Sequence, residues 1–280
     1  MVGRRKSRRI ITFIIVLMGA VLMLYPLAWM VSSSFKPELL IFADRSLIIR
    51  EFTLENYIRG LGGVGGITFF QFFLNSMTIV VPVVIGNVLS CSLVAFAIAR
   101  LEFPWKKAVF ATVLLTMMLP MHVTLIPRFV MFLELGWVGT YLPLTVPNFF
   151  AVAGFFCFLL IQFMRGIPKD LDEAAIVDGC GPLGIYAKII MPLSVPALIT
   201  AAIFSFIWTY DDFFSQLIYI RRPSMFTVAL ALRMYNEQME LSAIGVLMAM
   251  STVALLPVII FFTTCQRFLI EGISTTGLKG

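Results

Sequence analysis

Six long apolar runs, separated by short polar segments, organise the chain. A membrane-spanning helix needs about 20 mostly apolar residues, and each run is about that long or longer. The pattern therefore predicts an all-α polytopic membrane protein with six transmembrane helices. Pro120 and Pro127 predict a kink in the third run, and residues 129–135 continue it as a short interfacial helix. The predicted spans are 10–31, 71–99, 107–127, 142–165, 195–220 and 241–265.

Composition agrees with this pattern. Hydrophobic residues make up 60% of the 280 residues and charged residues only 13%, whereas a soluble domain carries about 25% charged residues. The four cysteines show no disulfide or zinc spacing, so no metal site is predicted. His122 is the one histidine, and we expect it to be a buried, hydrogen-bonded side chain in the third span.

The basic residues predict the orientation. Five of them precede the first span within residues 1–9, and eight of the other 16 fall in or beside the segments 100–107, 166–194 and 266–280. The positive-inside rule therefore places both termini and these segments in the cytoplasm. Arg221, Arg222 and Arg233 are a mild counter-signal in the last outer loop.

Glycine-rich phosphate-binding motifs are missing. The string GLGGVGG at 60–66 lacks the flanking strand, helix and Lys-Ser/Thr that such a loop needs. A flexible turn is the simpler interpretation. Since no G-x-x-x-x-G-K-S/T occurs in the sequence, we expect the chain to bind no ATP and to need no cofactor of its own.

The segment 166–194 is polar and carries helix signals. Three acids at 170–173 suit the positive end of a helix dipole, and Gly179 suits a left-handed C-terminal cap. Pro182 begins a second helix and Pro192 is expected to end it. In that helix Tyr186, Ile189, Ile190 and Leu193 are predicted to form one apolar face. Either this helix pair packs on its own bundle, or it docks on a partner protein.

A set of motifs carries a resemblance to a known family. Glu173-Ala-Ala, Gly179 six positions later and I-x-x-P at 189–192 resemble the EAA signature of bacterial ABC importer permeases, with Met191 in place of the usual leucine. Six further stretches and the glycine-rich end of the chain resemble the carbohydrate (maltose-type) branch. They are FTLENY (52–57), FFLNS (72–76), TLIPRF (124–129), QFMRGIPKDLDEAA (162–175), MPLSVPAL (191–198), FTVAL (226–230) and GISTTGLKG (272–280).

The resemblance implies a type I importer permease fold and a set of partners. The EAA segment of that family fits into a cleft on a separate ATPase subunit, which uses the ATP. A second permease subunit, two ATPase subunits and an extracytoplasmic solute-binding protein are implied as well. The residues that the resemblance assigns to ATPase coupling are Glu173, Ala174, Ala175 and Gly179, with Asp178 and Pro192 shaping the loop. We expect Gly179→Leu to leave the protein inserted but without transport.

Two acids stand within the fifth predicted span. Trp208, Asp211, Asp212 and Ser215 fall at helical spacing, and Gln216 adds an amide. An acid inside a membrane is costly and should face the bundle interior or water. An aromatic ring beside acceptors and an amide suits a neutral, hydroxyl-rich ligand, so these five residues are candidates for lining a translocation pathway. Alternatively, the acids cap or pair with a neighbouring helix. Related permeases tend to have Asn-Asp here, so Asp211 departs from their pattern.

The prediction is thus a permease subunit of an ABC importer for a carbohydrate or polyol in the bacterial inner membrane, without enzymatic activity of its own. The predicted division is a first helix and periplasmic segment at 1–70, a permease core at 71–266 that includes the EAA loop 166–194, and a cytoplasmic tail at 267–280. An ion-coupled secondary transporter that uses Asp211 and Asp212 remains the alternative.

Overall fold

The computed structural model describes residues 2–238 and 244–276, with side chains over 9–120, 122–237 and 244–268. Within these residues the regular elements are helices, and one isolated β-bridge pairs Val64 with Ile67. The all-α prediction is confirmed. The α-helices of the first half are α1 (Val2–Ser34), α2 (Glu38–Ala43), α3 (Glu55–Gly62), α4 (Phe69–Arg100), α5 (Lys106–Met118), α6 (Met121–Glu134) and α7 (Leu142–Thr145). Those of the second half are α8 (Gly154–Arg165), α9 (Asp170–Val177), α10 (Pro182–Ile185), α11 (Met191–Leu193), α12 (Val195–Tyr210), α13 (Phe213–Tyr219), α14 (Val228–Gln238) and α15 (Ile244–Thr276).

Four stretches in the described residues are long and apolar enough to cross a membrane, and counting each of two bent helix pairs as one span gives up to six. The third predicted span is the first bent pair, because α5 and α6 turn by 103° at Leu119 and Pro120. Leu119 is extended, as a residue before proline prefers. The predicted kink at Pro120 is therefore confirmed. The first three residues of the sixth predicted span, 241–243, lie outside the described residues.

The fifth predicted span is not the continuous helix that its length suggested. Helix α12 ends at Tyr210, and α13 begins only at Phe213. At its other end, α12 meets the segment Pro182–Leu193 at an angle of 75°. In an uninterrupted helix both adjacent carboxylates would lie within an apolar span, which is costly. The break at 211–212 places them at helix ends instead.

The chain forms two compact units. The first comprises Met1–Gln71 and Ala231–Leu256. In it, the Glu38 carboxylate accepts the N–H groups of Ile244 and Gly245 at 2.7 and 2.8 Å, which caps α15. The apolar side chains of α1 are largely exposed, so this helix offers its surface to lipid or to another protein.

The second unit comprises Phe72–Leu230 and Pro257–Gly280, of which 277–280 lie outside the described residues. Its core joins α4, α8 and α12 with part of the segment 166–194. Fully buried members from these elements include Cys91, Leu160, Ile190 and Ala201. The polar segment is thus packed onto the membrane helices on one side. The predicted division placed its boundary at 70/71 and assigned residues 231–256 to the permease core. In the structure these residues belong with the first unit.

Candidate functional site

The turn in the segment 166–194 forms around Gly179. Its φ is +80°, a left-handed conformation that costs glycine little. The N–H of Cys180 donates to the carbonyl of Ala175 at 2.8 Å, and that of Gly179 donates to Ile176 at 3.0 Å. These two bonds make a Schellman motif that ends α9. The predicted left-handed cap at Gly179 and the predicted helix pair are both confirmed.

The helix pair has a buried face and an exposed face. Ala175 is 5% exposed, Ile185 6% and Ile190 0%, and all three belong to the core of the second unit. The opposite face is apolar but exposed: 61% of Ile176, 87% of Val177 and 76% of Leu183 are accessible. Glu173, Ala174 and Asp178 are exposed on the same segment. Large exposed aliphatic side chains on a polar loop are characteristic of a surface that binds a partner.

Pro192 does not end the second helix as predicted. A π-helical turn spans Tyr186–Ile190, and α11 continues through Pro192 to Leu193. Proline has no N–H to donate to the preceding turn, so the backbone widens there and the N–H of Met191 reaches back to the Tyr186 carbonyl. The predicted apolar face also changes, since Leu193 is 46% exposed.

A buried ion pair fastens α9 to the end of α4. Arg100 Nη1 lies 3.2 Å from Asp172 Oδ2, and Nη2 donates to the Ile167 carbonyl at 2.8 Å. The side chains are 3% and 15% exposed. Nearby, the hydrogen bond from Lys106 holds the pKa of Glu102 below its usual value, and the charge of Lys169 adds a smaller effect. Basic and acidic side chains therefore alternate where α4, α5 and α9 meet.

The break in the fifth span is held by side-chain caps. Asp212 is the N-cap of α13, and its Oδ1 accepts the N–H of Ser215 at 3.0 Å. Gln216 is 2% exposed; its amide donates to the Thr209 carbonyl at 3.1 Å and accepts the hydroxyl of Thr227. The predicted continuous face of Trp208, Asp211, Asp212 and Ser215 is therefore wrong, because helical spacing is interrupted between them.

Two neighbouring cavities nevertheless collect most of these residues. A cavity of about 590 Å³ is lined by Trp208, Asp212 and Gln216, and a cavity of about 280 Å³ by Asp212 and Ser215. Both cavities share Leu144, Asn148 and Asp212, so Asp212 lies where they adjoin. Asp211 is exposed and lines neither cavity.

Trp208 is the aromatic wall of the larger cavity. Its ring lies 5.0 Å from that of Phe155, 5.4 Å from that of Phe156 and 5.7 Å from that of Phe204, and 49% of it remains accessible. This cluster holds the indole in place while leaving part of it free. The indole therefore presents an aromatic surface to the larger cavity.

Other polar residues have clearer structural roles. Asn75 donates to the carbonyls of Ser224 and Phe226, and Ser76 accepts the N–H of Val228, so both bind the second-span helix to the segment 224–228. Asn148, by contrast, lines both cavities. His122 is exposed and packs edge-on against Phe214 at 5.8 Å, so its predicted burial is wrong.

Sequence reasoning missed Arg128, Asn87 and the partner of Asp172. Arg128 lines the smaller cavity with Asp212 and has no hydrogen bond or ion pair within the described part of the chain. Asn87 lines the larger one and donates to Ser205 at 3.0 Å. Arg128 directly follows the third predicted span, 107–127, and precedes its predicted continuation at 129–135, and a cation enclosed by apolar sequence is a signal that could have pointed to it. Nothing local in the sequence joins Arg100 to a residue 72 positions away.

Comparisons with known proteins agree with this architecture. The family model described as "Binding-protein-dependent transport system inner membrane component" matches residues 91–275. The trehalose/maltose transport system permease protein MalG of Thermococcus litoralis is 31% identical over 274 residues, which cover 98% of each chain. The arabinooligosaccharides transport system permease protein AraQ of Halalkalibacterium halodurans is 29% identical, over 99% of this chain and 100% of its own.

The fold is also found in a solved structure. A chain from the crystal structure of a bacterial ABC transporter that imports the acidic polysaccharide alginate superimposes with a TM-score of 0.82 at 20% identity, covering 94% of this chain and 97% of that one. None of these comparisons supports the ion-coupled alternative. The family match over most of the sequence, together with the relatives that align from end to end, shows that the chain belongs to the ABC importer permeases, the inner-membrane components of binding-protein-dependent transport systems.

Proposed function

We propose that the chain is the permease subunit of an importer that moves a carbohydrate or polyol across the bacterial inner membrane. The helix pair of 166–194 lies in the cytoplasm and docks on a separate ATPase subunit, which binds and hydrolyses the ATP. A second permease subunit completes the pathway, a second ATPase subunit completes the motor, and an extracytoplasmic solute-binding protein delivers the substrate. The chain itself catalyses no reaction and needs no cofactor.

The exposed face of the helix pair is the observation that carries this proposal. Ala175 anchors α9 to the core while Val177, next but one in sequence, is 87% exposed. The small side chain of the exposed Ala174 permits close approach, and Glu173 is an exposed acid that suits a partner's basic residue. Such a surface is stabilised when a groove on another protein covers its apolar side chains.

The carbohydrate assignment is supported by the cavities and by the relatives. An accessible indole covers the apolar C–H face of a sugar ring, while Asp212 and Asn148 present oxygen acceptors for its hydroxyls. Arg128 places a positive charge in the same cavity as Asp212, so the lining is balanced in charge and favours a neutral ligand. Relatives named for trehalose and maltose or for arabinooligosaccharides are consistent with this class.

Affinity purification of the tagged chain from its native membrane tests the docking role. We expect a P-loop ATPase and a second permease to co-purify with the wild type. Val177→Ser should release the ATPase, whereas Leu39→Ser, an equally exposed aliphatic position at 89%, should retain it. Retention of the ATPase by Val177→Ser and Leu39→Ser alike would contradict the proposed docking surface.

The substrate class is tested on the associated binding protein. Mass spectrometry of the ligand that it carries, followed by uptake of that compound and of radiolabelled maltose and trehalose, should identify a neutral sugar or polyol. Transport by this chain alone in proteoliposomes, driven by a proton or sodium gradient, would overturn the importer proposal.

A further inference from the structure

The ion pair between Arg100 and Asp172 joins the two regions that an importer must couple. Arg100 is the last residue of α4, and Asp172 lies in the first turn of α9. Their closest atoms are 3.2 Å apart, and the guanidinium also holds the Ile167 carbonyl just before α9. One side chain thus fixes both the entry and the first turn of the docking helix.

Stability alone is a weak explanation for this pair. A buried ion pair loses about as much hydration free energy as it gains in attraction, and apolar replacements are often equally stable. Moreover, Arg100 Nε and Asp172 Oδ1 are buried and have no hydrogen-bond partner among the described residues. The pair therefore uses one of the two parallel contacts that arginine and a carboxylate can make.

Helix α4 leads from this pair to the larger cavity. Asn87 lies 13 residues before Arg100 on the same helix, about 20 Å along its axis. It lines the cavity and donates to Ser205 of α12 at 3.0 Å. The proline inside α4, Pro82, precedes this stretch, so the helix between Asn87 and Arg100 contains no residue that breaks it.

A second contact ties the same helix to the second half of the loop. The hydroxyls of Ser92 and Tyr186 lie 2.8 Å apart, and the Phe96 and Tyr186 rings are 5.3 Å apart. Both halves of the helix pair are therefore attached to α4. A displacement of the docked loop would be carried into α4 through these points.

We propose that Arg100 and Asp172 are positioning residues that pass movement of the docked loop into α4, and through Asn87 to the cavity wall. The inference rests on the proposed function, since it requires an ATPase docked on the loop. It assigns the pair a role in coupling that is separate from docking itself.

The test uses the complex purified through this chain, with a cysteine reporter in the cavity. Cys180 and Cys265, which are partly exposed, are replaced by serine, and Thr209→Cys is introduced at the lining of the larger cavity. The probe is a water-soluble methanethiosulfonate. Its labelling rate is measured without nucleotide and after trapping with ATP, Mg²⁺ and vanadate, and retained ATPase subunit is quantified in parallel.

We expect trapping to change the labelling rate in the reporter protein, and Arg100→Gln or Asp172→Asn to reduce that change by about 5-fold or more while the ATPase stays bound. The exchange Arg100→Asp with Asp172→Arg should restore a substantial part of it. Arg100→Lys, which keeps the charge but not the planar fork, should give an intermediate change. It also serves as the second variant if Arg100→Gln does not insert.

Three results separate the ways of failing. Absence of any nucleotide-dependent labelling in the reporter protein would contradict the proposed function. A normal labelling change in Arg100→Gln, Asp172→Asn and Arg100→Lys, with the ATPase retained, would overturn the coupling role alone. If bound ATPase is lost in parallel with labelling and neither recovers in the exchanged pair, Arg100 and Asp172 only support the docking surface. The coupling role would then be overturned as well.

Discussion

The left-handed turn at Gly179 offers a sharp test of the loop, because its environment isolates one physical effect. A Cβ atom built at Gly179 meets nothing within 4 Å, so the methyl group of alanine causes no clash. The remaining cost is backbone strain, since φ is +80°. An L-residue held in this conformation is destabilised by about 1–2 kcal/mol relative to glycine.

Gly179→Ala should therefore shift the turn toward opened forms by about 5- to 30-fold, while the membrane helices stay folded. Gly179→Asn should recover much of the loss, because asparagine adopts left-handed conformations more readily than alanine. Gly181→Ala is the matched control. Its site is equally open, but its φ is −76°, so alanine should be neutral or slightly stabilising there.

Amide hydrogen exchange of peptides covering 174–184, measured in the purified complex, reports opening of this turn directly. ATPase retention and uptake of the substrate that the binding protein carries are measured on the same variants. Among Gly179→Ala, Gly179→Asn and the wild type, we expect the fastest exchange and the lowest uptake in Gly179→Ala and intermediate values in Gly179→Asn. Gly179→Leu should be inserted but inactive. Equal exchange in Gly179→Ala and Gly181→Ala would show that the left-handed conformation is not what maintains the loop.

Three further predictions concern the cavity region and the helix packing around it. Gly154→Ala places a Cβ 2.7 Å from a threonine hydroxyl oxygen and 3.0 Å from a backbone carbonyl of α5. It should therefore lower the thermal stability of the detergent-solubilised protein, whereas Gly19→Ala, in open space within α1, should not. Gln216→Leu leaves its partners, the Thr209 carbonyl and the buried Thr227 hydroxyl, unbonded and should cost about 1–3 kcal/mol of unfolding free energy, part of which Thr227→Val should restore. Equal melting temperatures of Gln216→Leu and the wild type would contradict a stabilising role of these hydrogen bonds. Asp212→Asn keeps the N-cap and should retain normal melting with reduced uptake, while Asp212→Ala should lose about 1 kcal/mol as well; normal uptake in Asp212→Asn would remove the carboxylate from the pathway.

Local signals predicted those parts of the structure that depend on neighbouring residues. Apolar run length identified the spans, Pro120 placed the bend in the third, and Gly179 with its flanking acids predicted a capped helix pair. Each of these follows from backbone conformation or from transfer into lipid, which a short window of sequence contains. The EAA resemblance added the family, and the comparisons confirmed it.

Errors arose where a tertiary contact competes with a local pattern. Helical spacing from Trp208 to Ser215 predicted one face, but Asp212 caps a new helix, and Gln216, which also accepts the Thr227 hydroxyl, donates across the break to the Thr209 carbonyl. Pro192 was expected to end a helix, but the segment reaches Leu193 through a π-helical turn that accommodates the missing N–H of this proline. Neither outcome can be read from spacing alone, because a side-chain cap and a widened helical turn change the backbone path that the spacing assumes.

Hydrophobicity, charge and turn chemistry along the chain predicted the class of protein, the apolar spans and the place of the capped helix pair, since each of these depends on neighbouring residues. Only the tertiary structure decided which polar residues meet. It separated Asp211 from the cavities, brought Arg128 and Asn148 to Asp212, and joined Arg100 to Asp172. The physical reason is that buried charges and hydrogen-bonding groups are stabilised by partners brought close through packing, and that proximity has no signature in local sequence.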